Sequence, residues 1–189
     1  MIRVAKVISF LGHPLLTATA FLLFIAHRSS AVSLRESGFV IAAIVIPLAL
    51  WNLRQTRIGA YSNFDVSIRT ERHSMYLVSL ALTALAVLVL YLSKMAFPLR
   101  AGITCMLALF ATAAAANHRI KVSLHAAISC YLAVVMMAID PRAGVAWFGC
   151  ALAIALSRLV LRRHTLPELA WGGALGVAGG VVLVVWLGS

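Results

Sequence analysis

Met75-Tyr76-Leu77-Val78-Ser79-Leu80-Ala81-Leu82-Thr83-Ala84-Leu85-Ala86-Val87-Leu88-Val89-Leu90-Tyr91-Leu92-Ser93-Lys94-Met95-Ala96-Phe97 carries no Asp, Glu, Lys or Arg before Lys94. A stretch of about 20 apolar residues is what an α-helix needs to cross the hydrocarbon core of a bilayer. Working outward, six further apolar stretches appear, at Val4 to Ala26, Phe39 to Leu53, Arg100 to Ala116, Leu124 to Ile139, Ala143 to Leu161 and Leu166 to Leu187. The fold class expected is therefore all-α: a polytopic membrane helical bundle of six to seven transmembrane helices. The second and fifth stretches are the short ones, so tilt, an interfacial end or a re-entrant segment is open for them, and with it six crossings in place of seven. The whole chain, 1–189, reads as a single transmembrane domain.

Composition agrees. Of the 189 residues 63% are hydrophobic and only 11% charged, and mean hydropathy is +1.02. A soluble domain would be nearer half apolar and a quarter charged. Disordered, collagenous, coiled-coil and disulfide-rich classes are excluded. The formal charge of +11, from 16 Lys and Arg against 5 Asp and Glu, would suggest nucleic acid on a soluble chain. Here most basic residues lie between apolar stretches, where they set orientation or meet anionic headgroups, so no nucleic-acid partner is expected. Cys105, Cys130 and Cys150 lie inside apolar stretches without metal-site or redox spacing and read as inert small hydrophobes. The first stretch, behind Arg3 and Lys6, resembles a secretory signal with Ala18-Thr19-Ala20 as a cleavage site, but its apolar character continues to Ile25, which favours a retained helix.

With seven crossings, three polar connections open on the N-terminal side, and eleven of the 16 basic residues belong to that side. The positive-inside rule then places it in the cytoplasm. Three of the eleven, Arg69, Arg72 and Arg158, are better explained as ligands for an anion.

The first connection contains Asp65-Val66-Ser67-Ile68-Arg69-Thr70-Glu71-Arg72-His73. Arginines three apart share a helix face, and two guanidiniums aimed at one point fork phosphate oxygens. An interfacial amphipathic helix resting on headgroups is the other reading. The second connection is Asn117-His118-Arg119-Ile120-Lys121-Val122-Ser123-Leu124-His125. Ser123 is a natural N-cap for the apolar helix that follows, and a helix N-terminus favours an anion beside which a histidine can donate a proton. The third is Ser157-Arg158-Leu159-Val160-Leu161-Arg162-Arg163-His164-Thr165-Leu166-Pro167-Glu168. Thr165 and Glu168 have capping-box spacing and Pro167 suits a first helical turn. A carboxylate four residues after a histidine can also fix its tautomer and raise its nucleophilicity.

The order of the three motifs resembles the type 2 phosphatidic acid phosphatase superfamily of membrane lipid phosphatases and vanadium haloperoxidases. That family carries a lysine with Arg-Pro seven and eight residues on, then Pro-Ser-Gly-His, then Ser-Arg, five residues, His, three residues, Asp. The third motif is met by Ser157-Arg158, His164 and, in the aspartate position, Glu168. The second is met by Val122-Ser123-Leu124-His125, which keeps Ser and His but lacks Pro and Gly. In the first, Arg72 fits the arginine, His73 replaces proline and Asp65 falls at the lysine, with Arg69 as a substitute cation. The resemblance covers roughly Asp65 to Gly176, within a phosphatase-like core at about 54–187.

What it implies is a phosphohistidine mechanism that needs no metal or other cofactor. His164 would attack phosphorus, Glu168 would orient it, and His125 would protonate the leaving oxygen and then activate water. Arg69, Arg72, Arg158, the Ser123 hydroxyl and the Leu124 backbone N–H would hold the phosphate oxygens. The substrate expected is a phosphomonoester or diphosphate of a lipid: polyprenyl phosphate or diphosphate, phosphatidic acid or phosphatidylglycerol phosphate. The setting expected is the bilayer of a bacterial or archaeal cell membrane. Glu is one methylene longer than Asp, and Leu124 stands where glycine lets backbone approach phosphate. A catalytically weak or inactive relative that binds or moves a phosphorylated lipid is therefore the alternative. Haloperoxidase chemistry fits the apolar composition poorly, and a channel or transporter leaves the three motifs unexplained.

Elsewhere bland readings are favoured. His13-Pro14 reads as a kink or interfacial bend in the first stretch. His27 and the four tryptophans suit helix ends or lipid contacts. Gly172-Gly173, Gly176 and Gly179-Gly180 read as a surface for close helix packing.

Overall fold

The computed structural model describes residues 1–188, and among these every regular element is a helix. They are α1 (Ile2–Leu11), α2 (Pro14–Arg28), α3 (Leu34–Arg57), α4 (Arg72–Leu92), α5 (Phe97–Ala116), α6 (Leu124–Ile139), α7 (Pro141–Val160) and α8 (Leu166–Gly188). Five of them, α3, α4, α5, α7 and α8, are long and apolar enough to cross a membrane, and the pair α1 and α2, bent by 50° at Gly12-His13-Pro14, makes a sixth if it counts as one broken span. This is a multi-pass membrane protein.

The distribution of side chains on α4 shows what its solvent is. Leu77, Leu85, Leu88 and Leu92 are exposed while Ser79, Thr83 and Ala86 are buried. The buried hydroxyls return their hydrogen bonds to their own helix, Ser79 Oγ to Met75 O at 2.8 Å and Thr83 Oγ1 to Ser79 O at 2.7 Å. Four leucines thus face outward while two self-satisfied hydroxyls face protein, as expected where lipid replaces water.

Of the two short stretches, one is not short. α3 extends over 24 residues because Ser33 and Glu36 form a complete capping box that starts the helix five residues before Phe39. It contains one π-helical turn, Ile41–Val45. Pro47 lies two residues beyond it, lacking an N–H and crowding the carbonyl four residues back, and a widened turn at Ala43 accommodates both defects. α6 is short, at 16 residues, but it is the most buried helix of the chain, so it has little need of a lipid-facing surface.

The chain divides into two compact units, residues 1–18 with 115–188 and residues 19–114. In the first, α6 packs against both α7 and α8, and α1 packs against α7. α6 and α7 are joined by Asp140 alone, whose carboxylate accepts from the N–H groups of Arg142 and Ala143 and whose neighbour Pro141 starts α7. The expected glycine surface forms in part. A Cβ at Gly172 would lie 2.5 Å from Ser123 O and one at Gly180 2.7 Å from Val134 Cβ, with Gly176 nearer still to Ala127 O. These three, spaced by four, let the α8 backbone rest on α6. Gly173 has only an ordinary neighbour, Cys130 Sγ at 3.7 Å.

In the second unit the segment between α3 and α4 is held by side chains. Trp51 Nε1 donates to Tyr61 Oη at 3.1 Å and Tyr61 Oη meets Ser74 Oγ at 2.7 Å. Val66 is fully buried with φ of 48°, a conformation a β-branched residue adopts at a cost. Its carbonyl accepts from Arg72 Nε at 2.9 Å.

Candidate functional site

Within the first unit the turn between α7 and α8 brings the third motif together. α7 ends in a Schellman arrangement: Arg162 N donates to Leu159 O at 2.9 Å and Arg163 N to Arg158 O at 3.0 Å. Arg162 takes the left-handed position, φ 52°, usually given to glycine. The chain then passes through His164 into α8.

His164 is buried, and its Nδ1 lies 2.8 Å from Glu168 Oε2. The same oxygen accepts from the Thr165 backbone N–H at 3.2 Å. Capping and histidine orientation are therefore done by one carboxylate oxygen, because Glu168, four residues after His164, lies in the first turn of α8. Lys121 Nζ is 3.7 Å from this oxygen and donates to Arg163 O at 2.8 Å. Nδ1 engaged with the carboxylate directs nucleophilic character to Nε2.

Ser123 caps α6 as its position predicts, its side chain accepting from Ala126 N. Its own N–H donates to Glu168 O at 3.2 Å, so the starts of α6 and α8 are stitched by backbone. Leu124 is the first residue of α6, where an N–H has no partner within the helix. His125, one residue further, is buried, and its ring meets His13 edge-on with centroids 5.3 Å apart. Arg158, in the last turn of α7, is fully buried and its Nη1 donates to Ser9 Oγ at 2.7 Å. His164, Glu168, Ser123, Leu124, His125 and Arg158 thus belong to one unit and are tied through the ends of α6, α7 and α8.

Arg69 and Arg72 belong to the other unit, and the helical fork expected of them does not form. The backbone before Arg72 is a run of turns and bends, so the three-residue spacing carries no shared face. Arg69 is exposed, whereas Arg72 is buried as the first residue of α4 and supports the strained Val66 carbonyl. The cause lies in Tyr61 to Glu71, where Ser62 donates from both its N–H and its hydroxyl to the Glu71 carboxylate and Asn63 donates to Ser67 Oγ. Asn and Ser side chains that satisfy a loop this well compete with helix.

Two residues of the site, Lys121 and Ser9, were not singled out from sequence, and His13 was read only as part of a kink or interfacial bend. Lys121 stood inside the second motif and was read as a topology charge. Ser9 and His13 stood inside an apolar stretch, four residues apart on α1 and its end. A polar and ionisable pair in such a stretch is the signal that points to them. Among known proteins no family model matches this chain, and no curated protein or solved structure matches it.

Proposed function

We propose that this protein is a membrane phosphatase that hydrolyses a phosphomonoester or diphosphate of a lipid through a phosphohistidine intermediate. The observation that carries the reading is the buried His164 held through Nδ1 by Glu168 at 2.8 Å, at helix starts that also present Ser123 and Leu124. His164 Nε2 attacks phosphorus as the bond from phosphorus to the leaving oxygen breaks, and His125 supplies the proton that oxygen needs. His125 then takes a proton from water, whose oxygen attacks the phosphohistidine, and inorganic phosphate leaves as His164 is regenerated. Arg158, the Ser123 hydroxyl and the Leu124 N–H stabilise charge on the equatorial oxygens. Lipid is favoured over a soluble ester because a site at the ends of membrane helices admits tails from the side while basic groups meet the headgroup. Polyprenyl phosphate or diphosphate, phosphatidic acid and phosphatidylglycerol phosphate all fit this chemistry.

Phosphate release from a panel of these lipids in detergent, without added metal, tests the reading. Wild type is expected to turn over at least one, and His164→Ala to release none above background. Equal release by both proteins would remove His164 as nucleophile. A second reading is binding or movement of a phosphorylated lipid without turnover. It is favoured by Leu124 in the glycine position and by the unformed arginine fork. It predicts saturable lipid binding and no phosphate at any protein concentration.

A further inference from the structure

The break in the first apolar stretch is built around His13. Its carbonyl accepts the opening bonds of α2, from Leu16 N at 2.9 Å and Thr17 N at 3.0 Å, and its Nδ1 accepts from Leu15 N at 3.2 Å. That is the geometry of an N-cap, with imidazole nitrogen in place of the usual hydroxyl or carboxylate oxygen. Because Nδ1 accepts, it carries no proton and the neutral ring bears its hydrogen on Nε2. The cap bond also holds the ring in one orientation.

Ordinary capping leaves several facts over. Asn, Asp or Ser would cap this helix without placing an ionisable ring in an apolar stretch. Both imidazoles are buried, His13 at 8% and His125 at 5% exposed, and their planes cross at 86°. The edge of one ring meeting the face of the other is the arrangement that aromatic quadrupoles favour. The preceding turn is fitted to bring them there. Gly12 has φ of −81°, so its conformation makes no demand for glycine, but a Cβ would overlap the Ile154 side chain of α7. Ser9, one turn earlier, receives the Arg158 guanidinium.

We propose that His13 is a positioning residue for phosphoryl transfer, its cap-locked ring fixing the orientation of the His125 imidazole. The inference rests on reading His125 as the proton donor of the reaction. Without His13 the His125 ring gains rotational freedom about its side-chain torsions. Productive orientations become rarer, so turnover falls while affinity, set by the groups that hold phosphate, changes little.

Full-length wild type, His13→Asn, His13→Phe and His164→Ala, purified in detergent, provide the test. Asn keeps an acceptor for Leu15 N–H and removes the ring, whereas Phe keeps an aromatic ring and removes the acceptor. Selective ¹³Cε1 labelling of histidine gives a signal for each imidazole, with His125 assigned by its absence in His125→Asn. The expected result is a displaced His125 signal and kcat lowered roughly 10- to 100-fold in His13→Asn, with KM within about twofold. His13→Phe is expected to recover much of both the signal and kcat while melting at lower temperature. A His125 signal in His13→Asn that superimposes on wild type overturns the proposal, as does an unchanged kcat, because His13 would then be a helix cap alone. If wild type releases no more phosphate than His164→Ala, the phosphatase reading has failed, and the His125 signal still decides whether His13 orients that ring.

Discussion

Glu168 Oε2 faces the His164 ring, the Thr165 N–H and the Lys121 ammonium. On the proposed phosphatase reading, removing the carboxylate affects both chemistry and helix initiation, and the two effects separate by choice of variant. Glu168→Gln keeps an oxygen able to accept from Thr165 but loses the charge that favours an imidazolium; phosphate release is expected to fall by roughly 10²-fold or more with little change in melting temperature. Glu168→Ala is expected to lose activity further and about 1 kcal/mol of stability, the usual cost of a lost cap. Arg158 calls for a different substitution. Its fully buried guanidinium reaches Ser9 Oγ, and Arg158→Lys keeps the charge but cannot reproduce a planar fork. KM for a lipid phosphate is expected to rise by about tenfold or more in that variant, read from initial rates. The His164 and Glu168 pairing was legible in sequence because a four-residue spacing at a helix start decides it locally. The Arg158 and Ser9 pairing was not, because 149 positions separate the partners.

At the scale of elements, the contact between α6 and α8 is set by side chains that are missing. Gly172, Gly176 and Gly180 lie against the backbone of Ser123 and Ala127 and the side chain of Val134. Gly176→Ala places a methyl group well inside van der Waals contact distance of Ala127 O, and either helix must move. We expect a loss of about 1–3 kcal/mol and a lower melting temperature in detergent, with activity falling because the same contact aligns Ser123 with Glu168. Gly173→Ala is the matched control. Its new methyl would find ordinary contact and gain up to about 1 kcal/mol of helix propensity, so its melting temperature should hold or rise. Small residues at helical spacing were visible in the sequence, whereas which of them touch a neighbour depends on how α8 is rotated. The connection before α4 shows the reverse case. Spacing alone placed Arg69 and Arg72 on one helix, but hydrogen bonds among Ser62, Asn63, Ser67 and Glu71 hold that segment as a loop.

At the scale of the molecule, α6 and α7 form a hairpin whose open ends meet at the site. Ser123 N bonds Glu168 O and Lys121 Nζ bonds Arg163 O, so the start of α6 and the end of α7 lie at the same depth. α7 is long enough to cross, and α6, which returns over the same interval, rises about 24 Å at 1.5 Å per residue. With Cys105, Cys130 and Cys150 replaced by alanine, single cysteines at Arg119 and Arg162 are therefore expected to react with an impermeant thiol reagent from one side of the membrane. A cysteine at Arg142 is expected to react from the other side; labelling of all three from one side would make this hairpin re-entrant. The all-helical membrane setting, the cap at Ser123 and the carboxylate four residues after His164 were legible in the sequence alone, since hydropathy and helical spacing act over a few neighbouring residues. That a broken first helix brings Ser9 to Arg158 and His13 to His125, and that Lys121 joins Glu168, was decided only by tertiary structure. Those contacts depend on the depth and rotation of whole helices, which are set by packing between segments far apart in the chain.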